Sequence, residues 1–310
     1  MGIMGTAIDN RYIWLGGEIV PLSEAKINVL APSSQFGANV FEGIRCYWNE
    51  EEKQLYAFRL EEHYKRLQES ARIFHIPIKY SVSELGEYLK AVVRANDYHE
   101  DIAVRQTLFI DGFGSWSSTE PINMFIAPIP KQRNDLKQVS GLKCGISSWQ
   151  RISDRNMSPR VKVGANYINS RMAQLEAKEH GYDTPIFMNE LGKIAEGPGS
   201  CLFVIKDGKL LTSSLTSSIL DSITRRTIIE LAKEELQIQV EERDIERTEL
   251  YVADEAFLCG SAMEVRSISS IDGYRFDEAH RLTEQIHKIY LQVVCGKLSK
   301  YKGWLEAIYE

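Results

Sequence analysis

Hydrophobic and polar positions first organise themselves near the start of the chain. Tyr12-Ile13-Trp14-Leu15, a Gly16-Gly17 turn and Glu18-Ile19-Val20 read as a hairpin. The period then changes: Leu60, Tyr64, Leu67, Ala71 and Phe74 recur at steps of four and three, one apolar stripe on a helix predicted over 60–74. A second helix is predicted over 83–95, with Leu85, Tyr88, Leu89 and Val92 on its inner face. Residues 103–110 and 122–129 read as strands. The first ~130 residues thus make an α+β unit of ordinary domain size.

Pro130-Lys131-Gln132-Arg133-Asn134-Asp135 is polar and aperiodic, which marks a linker. A strand is predicted over 142–147 and a helix over 167–180, stopped by Gly181. Pro185-Ile186-Phe187-Met188 and Leu202-Phe203-Val204-Ile205 read as strands, the second turning through Asp207-Gly208 into Leu210-Leu211 as a hairpin. A helix over 224–235 carries Ile228, Leu231 and Ala232; strands follow over 255–258 and 265–271, and a last helix over 283–294. The expected plan is an α/β (α+β) chain of two domains, 1–130 and 142–310, joined by a loop over 131–141.

Composition narrows the function. A length of 310 residues exceeds what one hydrophobic core usually serves, in line with two domains. With 44% hydrophobic and 26% charged residues the chain is an ordinary globular one, which excludes disorder, collagen and coiled-coil arrays. Lys+Arg 37 against Asp+Glu 43 leaves a net charge of -6, so nucleic acid and anionic membrane surfaces are poor partners. No apolar run approaches the roughly 18 residues of a membrane span, and MGIMGTAIDNRYIW lacks the basic-then-apolar pattern of a signal peptide. Cys46, Cys144, Cys201, Cys259 and Cys295 are scattered and odd in number, with no Cys-x-x-Cys pair, which argues against a disulfide framework and a zinc site. The expectation is a reduced, soluble, cytoplasmic protein with no metal.

The familiar catalytic templates are missing: no P-loop, no G-x-G-x-x-G after a strand, no H-E-x-x-H and no G-x-S-x-G. Four features remain, each with a bland reading beside the functional one. Gly197-Pro198-Gly199 lets a backbone approach a ligand closely, or is a plain turn. Arg66, beside His63 on the polar side of its helix, is a binding cation or a solvated charge. Lys162, flanked by Val161 and Val163, could sit on a strand with its amine in a cleft, where burial lowers the pKa of an amine and makes it a carbonyl nucleophile; or it is an isolated lysine. The hydroxyl-rich run Ser213-Ser214-Leu215-Thr216-Ser217-Ser218, leading through Leu220-Asp221-Ser222-Ile223-Thr224-Arg225 into a helix, offers unpaired N–H groups to a phosphate or is an ordinary N-cap.

Taken together, several segments resemble one family. Phe36-Gly37-Ala38-Asn39-Val40-Phe41-Glu42-Gly43-Ile44-Arg45-Cys46-Tyr47 is similar to the N-terminal signature of the branched-chain aminotransferases, enzymes of fold type IV that depend on pyridoxal 5'-phosphate. The likeness continues through Phe58-Arg59-Leu60-Glu61-Glu62-His63-Tyr64-Lys65-Arg66-Leu67, Lys162-Val163-Gly164-Ala165-Asn166-Tyr167, Ala195-Glu196-Gly197-Pro198-Gly199 and Ile223-Thr224-Arg225. Leu250-Tyr251-Val252-Ala253-Asp254-Glu255-Ala256-Phe257 and Gly260-Ser261-Ala262 complete it, in order, over nearly the whole chain.

The resemblance implies two domains with the cofactor in the cleft between them. It implies that Lys162 holds the cofactor covalently and moves the proton as general base and acid. It further implies that Glu196 pairs with the pyridine nitrogen, which keeps the ring an electron sink, and that Tyr167 hydrogen-bonds the ring oxygen. Arg66 would bind the phosphate with a fork of donors, helped by Leu220, Ile223 and Thr224 at a helix start and by Ser261. Phe36, Phe41, Arg105, Ser261 and Ala262 would face the substrate. In such enzymes an amino acid gives its nitrogen to the cofactor and a 2-oxo acid, expected to be 2-oxoglutarate, collects it. Family members assemble as homodimers or larger homo-oligomers.

The departures fall on the substrate side. Phe36 and Ala103 stand where tyrosines are usual, Lys131-Gln132-Arg133-Asn134 replaces loop aromatics, Ser200-Cys201 replaces Glu-Asn, and Ser222 replaces glycine. Arg105 survives as the expected partner of a substrate carboxylate. The pocket is therefore expected to be larger or more polar than one built for valine or leucine. Other activities of the same fold (a D-amino-acid transaminase, an amine transaminase, a lyase) and a non-catalytic cofactor binder are the alternatives. The second is disfavoured by the joint presence of Lys162, Tyr167 and Glu196.

Overall fold

The computed structural model describes residues 10–134, 140–276 and 281–309. Residues 1–9, on which the signal-peptide reading partly rests, lie outside the described residues. So do Asp135 of the expected linker and the rest of 135–139.

In chain order the elements are β1 (Tyr12–Leu15), β2 (Glu18–Pro21), α1 (Pro32–Phe36), β3 (Asn39–Asn49), β4 (Gln54–Phe58), α2 (Leu60–Ile73), α3 (Val82–Asn96), β5 (Ile102–Ile110) and β6 (Ile122–Pro130). Then come β7 (Leu142–Gln150), α4 (Tyr167–Glu179), β8 (Thr184–Met188), β9 (Glu196–Gly197), β10 (Ser200–Lys206), β11 (Lys209–Thr212) and α5 (Ile223–Glu234). The chain closes with β12 (Val240–Glu242), β13 (Glu255–Gly260), β14 (Glu264–Ile271), β15 (Tyr274–Arg275), α6 (Arg281–Val294) and β16 (Leu305–Ala307). The five predicted helices end within two residues of their predicted bounds. Both predicted hairpins form, with Gly16, Gly17, Asp207 and Gly208 all at positive φ, as two-residue hairpin turns require. The β3–β4 hairpin was not predicted.

The chain forms two compact units. One comprises Met1–Gln132, Val161–Ala165 and Val294–Glu310; the other comprises Arg133–Arg160 and Asn166–Val293. Where the sequence reading drew one border in 131–141, the contacts draw one at Gln132 and assign two later segments to the first unit. The reason is pairing: Val163 bridges Val40, and β16 pairs antiparallel with β4.

In the first unit a seven-stranded sheet runs in the order β16-β4-β3-β5-β6-β1-β2, with every neighbouring pair antiparallel. Strand alternation turns Val40, Ile44 and Cys46 of β3 to one face. There they join Leu60, Tyr64, Leu67 and Ala71 of α2 and Leu85, Leu89 and Val92 of α3 in one buried core. The predicted stripes are the ones that pack. The sheet of the second unit has the order β12-β11-β10-β13-β14-β7-β8, parallel at β12/β11, β14/β7 and β7/β8 and antiparallel elsewhere. Its core gathers Leu202, Val204, Ala256, Leu258, Ile268 and Ile271 with Cys144 and Ile186.

Candidate active site

In the first unit the segment bearing Lys162 lies along the start of β3. The Phe41 N–H donates to the Lys162 carbonyl (2.9 Å), and the Lys162 N–H donates to Ser70 Oγ on α2 (3.1 Å). The contact with β3 is a single bridge rather than the strand that the flanking valines allowed. Two glycines permit the approach. A Cβ on Gly164 would lie 2.7 Å from Asn39 Oδ1, and Gly37, at φ +69°, would set one 3.3 Å from the Ala165 nitrogen.

The Lys162 Nζ lies 5.0 Å from the centre of the Phe41 ring, and the Arg105 Cζ lies 3.9 Å from it. Phe41 pairs with Thr107, and the neighbouring Gly43 pairs with Arg105, so Phe41 and Arg105 share the sheet face opposite α2. An amine, an apolar ring and a guanidinium are thus gathered on one surface. Phe36, at the end of α1, is half exposed and caps no core.

Behind that surface is a buried polar cluster. Arg66, for which a solvated charge was the bland reading, is only 7% exposed. Its Nε and Nη2 donate to Glu42 Oε1 (2.8 Å) and Oε2 (2.7 Å), and His63 Nδ1 meets the same Oε2 at 2.7 Å. Burial alone would raise the pKa of Glu42. The Arg66 charge and the His63 contact outweigh it and hold the carboxyl well below the usual carboxylate range. Burial pushes His63 down, against the pull of Glu42. An ionised Glu42 can only accept, so neutral His63 carries its proton on Nδ1 and its lone pair on Nε2. Glu42 has no role in the sequence reading. The missed signal is that His63, Arg66 and Ser70 recur at steps of three and four beside the apolar stripe of α2, a polar stripe that is itself buried.

In the second unit Tyr167 opens α4, and a Cβ on Gly199 would stand 3.8 Å from its ring, so the phenol lies against the Pro198-Gly199 turn. That turn joins β9 to β10, the plain-turn reading of the glycine cluster, and it also carries Glu196 into the interior at 3% exposure. Glu196 Oε1 accepts from Arg151 Nε at 2.9 Å, and the Leu220 N–H reaches the carboxylate at 3.3 Å. The Cys201 Sγ stands 3.8 Å from Oε2; burial pushes this thiol well above its ordinary pKa, so it remains a protonated, weak donor. Arg151 and Cys201 are further neighbours of Glu196 that the sequence reading did not assign.

Ile223 and Thr224 form the first turn of α5, where helix geometry leaves N–H groups without carbonyl partners. Ser222 caps the helix by accepting from the Arg225 N–H at 3.3 Å. The hydroxyls upstream are engaged with protein groups: Ser213 Oγ donates to the Ile194 carbonyl and Ser217 Oγ to Asp244. Ser261 and Ala262 occupy the turn after β13. A Cβ on the adjacent Gly260 would lie 3.1 Å from the Gly199 carbonyl, so this turn packs against that of Glu196.

These residues fit pyridoxal 5'-phosphate by the chemistry of their donors. A primary amine suits its aldehyde, a buried carboxylate suits a protonated ring nitrogen, and a forked guanidinium and open helix N-terminal amides suit a phosphate. Lys162 and Arg66 stand in the first unit, Glu196, Ile223 and Thr224 in the second.

The family model for amino-transferase class IV matches residues 39–271. The chain is 39% identical over 305 residues to a probable branched-chain-amino-acid aminotransferase of Aquifex aeolicus, covering 96% of this chain and 97% of that one. It is 40% identical to the branched-chain amino acid aminotransferase of Thermobaculum terrenum solved in its PLP form, with a TM-score of 0.91 over 98% of this chain and 100% of that one. A T.th. branched-chain amino acid aminotransferase solved with N-(5'-phosphopyridoxyl)-L-glutamate is 34% identical, with a TM-score of 0.91 over 97% of this chain and 100% of that one. Together with the fold and the donor set, these likenesses place the chain in the class IV aminotransferases, the pyridoxal-5'-phosphate-dependent enzymes of fold type IV.

Proposed function

We propose that this enzyme transfers the amino group of an L-amino acid, of the kind its branched-chain aminotransferase relatives are named for, to 2-oxoglutarate, through a side-chain pocket larger or more polar than theirs. The observation that carries the reading is the Phe41 ring with the Lys162 amine 5.0 Å and the Arg105 guanidinium 3.9 Å from its centre. An amino acid needs a proton-transfer group, an apolar wall and a cation for a carboxylate, and these three lie together. The T.th. relative, solved with a glutamate adduct, supports a dicarboxylate as the other substrate.

When bound, the cofactor supplies an electrophilic carbonyl and an electron sink for the electrons of the substrate α-carbon. Lys162 would anchor it and would move the proton at that carbon. Glu196, held by Arg151 and the Leu220 N–H, would pair with the ring nitrogen, and Tyr167 would donate to the ring oxygen. Arg66, Ile223, Thr224 and Ser261 would take the phosphate, while the Leu220 N–H is engaged by Glu196 and serves the site through it. Phe36, Phe41, Arg105, Ser261 and Ala262 would face the substrate. The wider pocket rests on Ala103, two residues before Arg105 on the same sheet face, where a methyl replaces a phenol.

An anaerobic half-reaction with single enantiomers, followed by the cofactor's absorbance, tests this. L-donors are expected to react, with at least one larger or more polar than leucine matching the aliphatic ones. Leucine, isoleucine and valine far ahead of every other donor would remove the altered pocket; a response to D-donors alone would overturn the stereochemistry.

Two further proposals concern setting. Val29, Phe113 and Trp116 are each more than 75% exposed on the first unit, large apolar groups that support a homodimer. Sedimentation at micromolar concentration is expected to show it, and a monomer would end that reading. The cytoplasm is the proposed location.

A further inference from the structure

We propose that Glu42 is the positioning residue for Arg66: a buried anion that fixes which edge of the guanidinium faces the cofactor phosphate. The inference rests on the reading of Arg66 as the phosphate-binding arginine. Glu42 lies on β3, fully buried, on the face turned to α2. Its two oxygens engage the Nε–Nη2 edge of Arg66 side-on, at 2.8 and 2.7 Å, with two parallel hydrogen bonds. In a planar fork this leaves Nη1 and the outer Nη2 hydrogen directed away from the carboxylate, at an angle the pair itself sets.

The third contact removes the remaining freedom. His63 stands one helical turn before Arg66 and reaches Glu42 Oε2 at 2.7 Å, so the carboxylate cannot turn about its own bond without losing a donor. Across β3, Glu42 is in register with Gln106 of β5, which hydrogen-bonds Tyr64 of α2 at 2.9 Å, so the backbone beside Glu42 is tied to the same helix. A solvated arginine pays for its order at each binding event in lost rotamer freedom; this one is ordered in advance. The pairing also offsets the charge of Arg66 inside the core.

The test uses the full chain stripped of cofactor and titrated with pyridoxal 5'-phosphate and, separately, with pyridoxal, which has no phosphate. In Glu42→Gln the amide nitrogen must face one of the three donors, so the clamp opens. The dissociation constant for the phosphorylated ligand is expected to rise about ten- to a hundredfold, the range for a lost hydrogen bond to a charged group. The constant for pyridoxal should hold nearly steady. A merely structural role would weaken both ligands alike, and that outcome overturns the proposal. Glu42→Asp, which keeps the charge but withdraws it by one methylene, gives the same readout if Glu42→Gln does not fold. Arg66→Gln separates the two readings. If it leaves the preference for the phosphorylated ligand intact, the phosphate assignment of Arg66 itself falls. If it abolishes that preference while Glu42→Gln does not, only the role of Glu42 falls.

Discussion

The Glu42, His63 and Arg66 cluster makes the first unit sensitive to acid, and both titrating groups act in the same direction. In the unfolded chain Glu42 takes up a proton near the ordinary carboxylate value of 4.5, but in the fold only at far lower pH. Its contribution is therefore complete above that value and is lost as pH falls below it. His63 is held neutral in the fold at pH values where an unfolded histidine, titrating at about 6.5, is already protonated. Stability thus begins to drop below that point and drops more steeply in the carboxylate range. Melting temperatures followed from pH 7.5 downward should show two stages, and His63→Asn should flatten the upper one; an unchanged upper stage would mean that other groups cause it. At this scale the sequence carried only part of the site. Lys162, Tyr167 and Glu196 stood out through family resemblance, whereas spacing alone left Lys162 an isolated lysine. Glu42 escaped notice because an acid inside an apolar run reads as a defect until its partners, 21 and 24 residues away, are seen.

Helices were legible because each buries one stripe, and a stripe repeats locally. The strand β3 was not, and its composition says why. It buries Glu42 and Arg45 among Val40, Phe41, Ile44 and Cys46, so polar and apolar residues are interior on both faces and no alternation survives. Such a strand is stable only because its charges are paired, Glu42 by α2 and Arg45 in part by the Lys131 carbonyl at 2.9 Å. The start of α5 shows the opposite case, a local signal that held. Ser222 caps it, and Ser222→Ala should lower stability by about 1 kcal/mol while Ser222→Gly, the usual residue of the family, should cost only a few tenths. Chemical denaturation distinguishes the two, and equal losses would show that the hydroxyl is not acting as the cap.

For the molecule as a whole, length and composition announced two units but could not show where the chain passes from one to the other. The last residues illustrate the difficulty. Leu305 pairs with Phe58, Ile308 is fully buried with its N–H on the Leu55 carbonyl, and Tyr309 exchanges two hydrogen bonds with Gln54. No residue near β4 in the chain hints at this partner. Deleting the chain from Leu305 onward should destabilise the first unit by more than the roughly 2–5 kcal/mol that the loss of one large buried aliphatic side chain costs. Calorimetry of the shortened chain should show it as a lowered transition; an unshifted one would mean that β4 is stable as an edge.

The path of the chain also has a meaning for synthesis. A ribosome releases the residues up to Gln132 first, yet the segment with Lys162 comes some thirty residues later and β16 only at the far end. Meanwhile β4 waits with its outer backbone groups unpaired, the kind of exposed edge that recruits other nascent chains. The first unit is therefore closed only after the second has been made, and the Lys162 segment meets β3 only after the strands beside β3 have been translated.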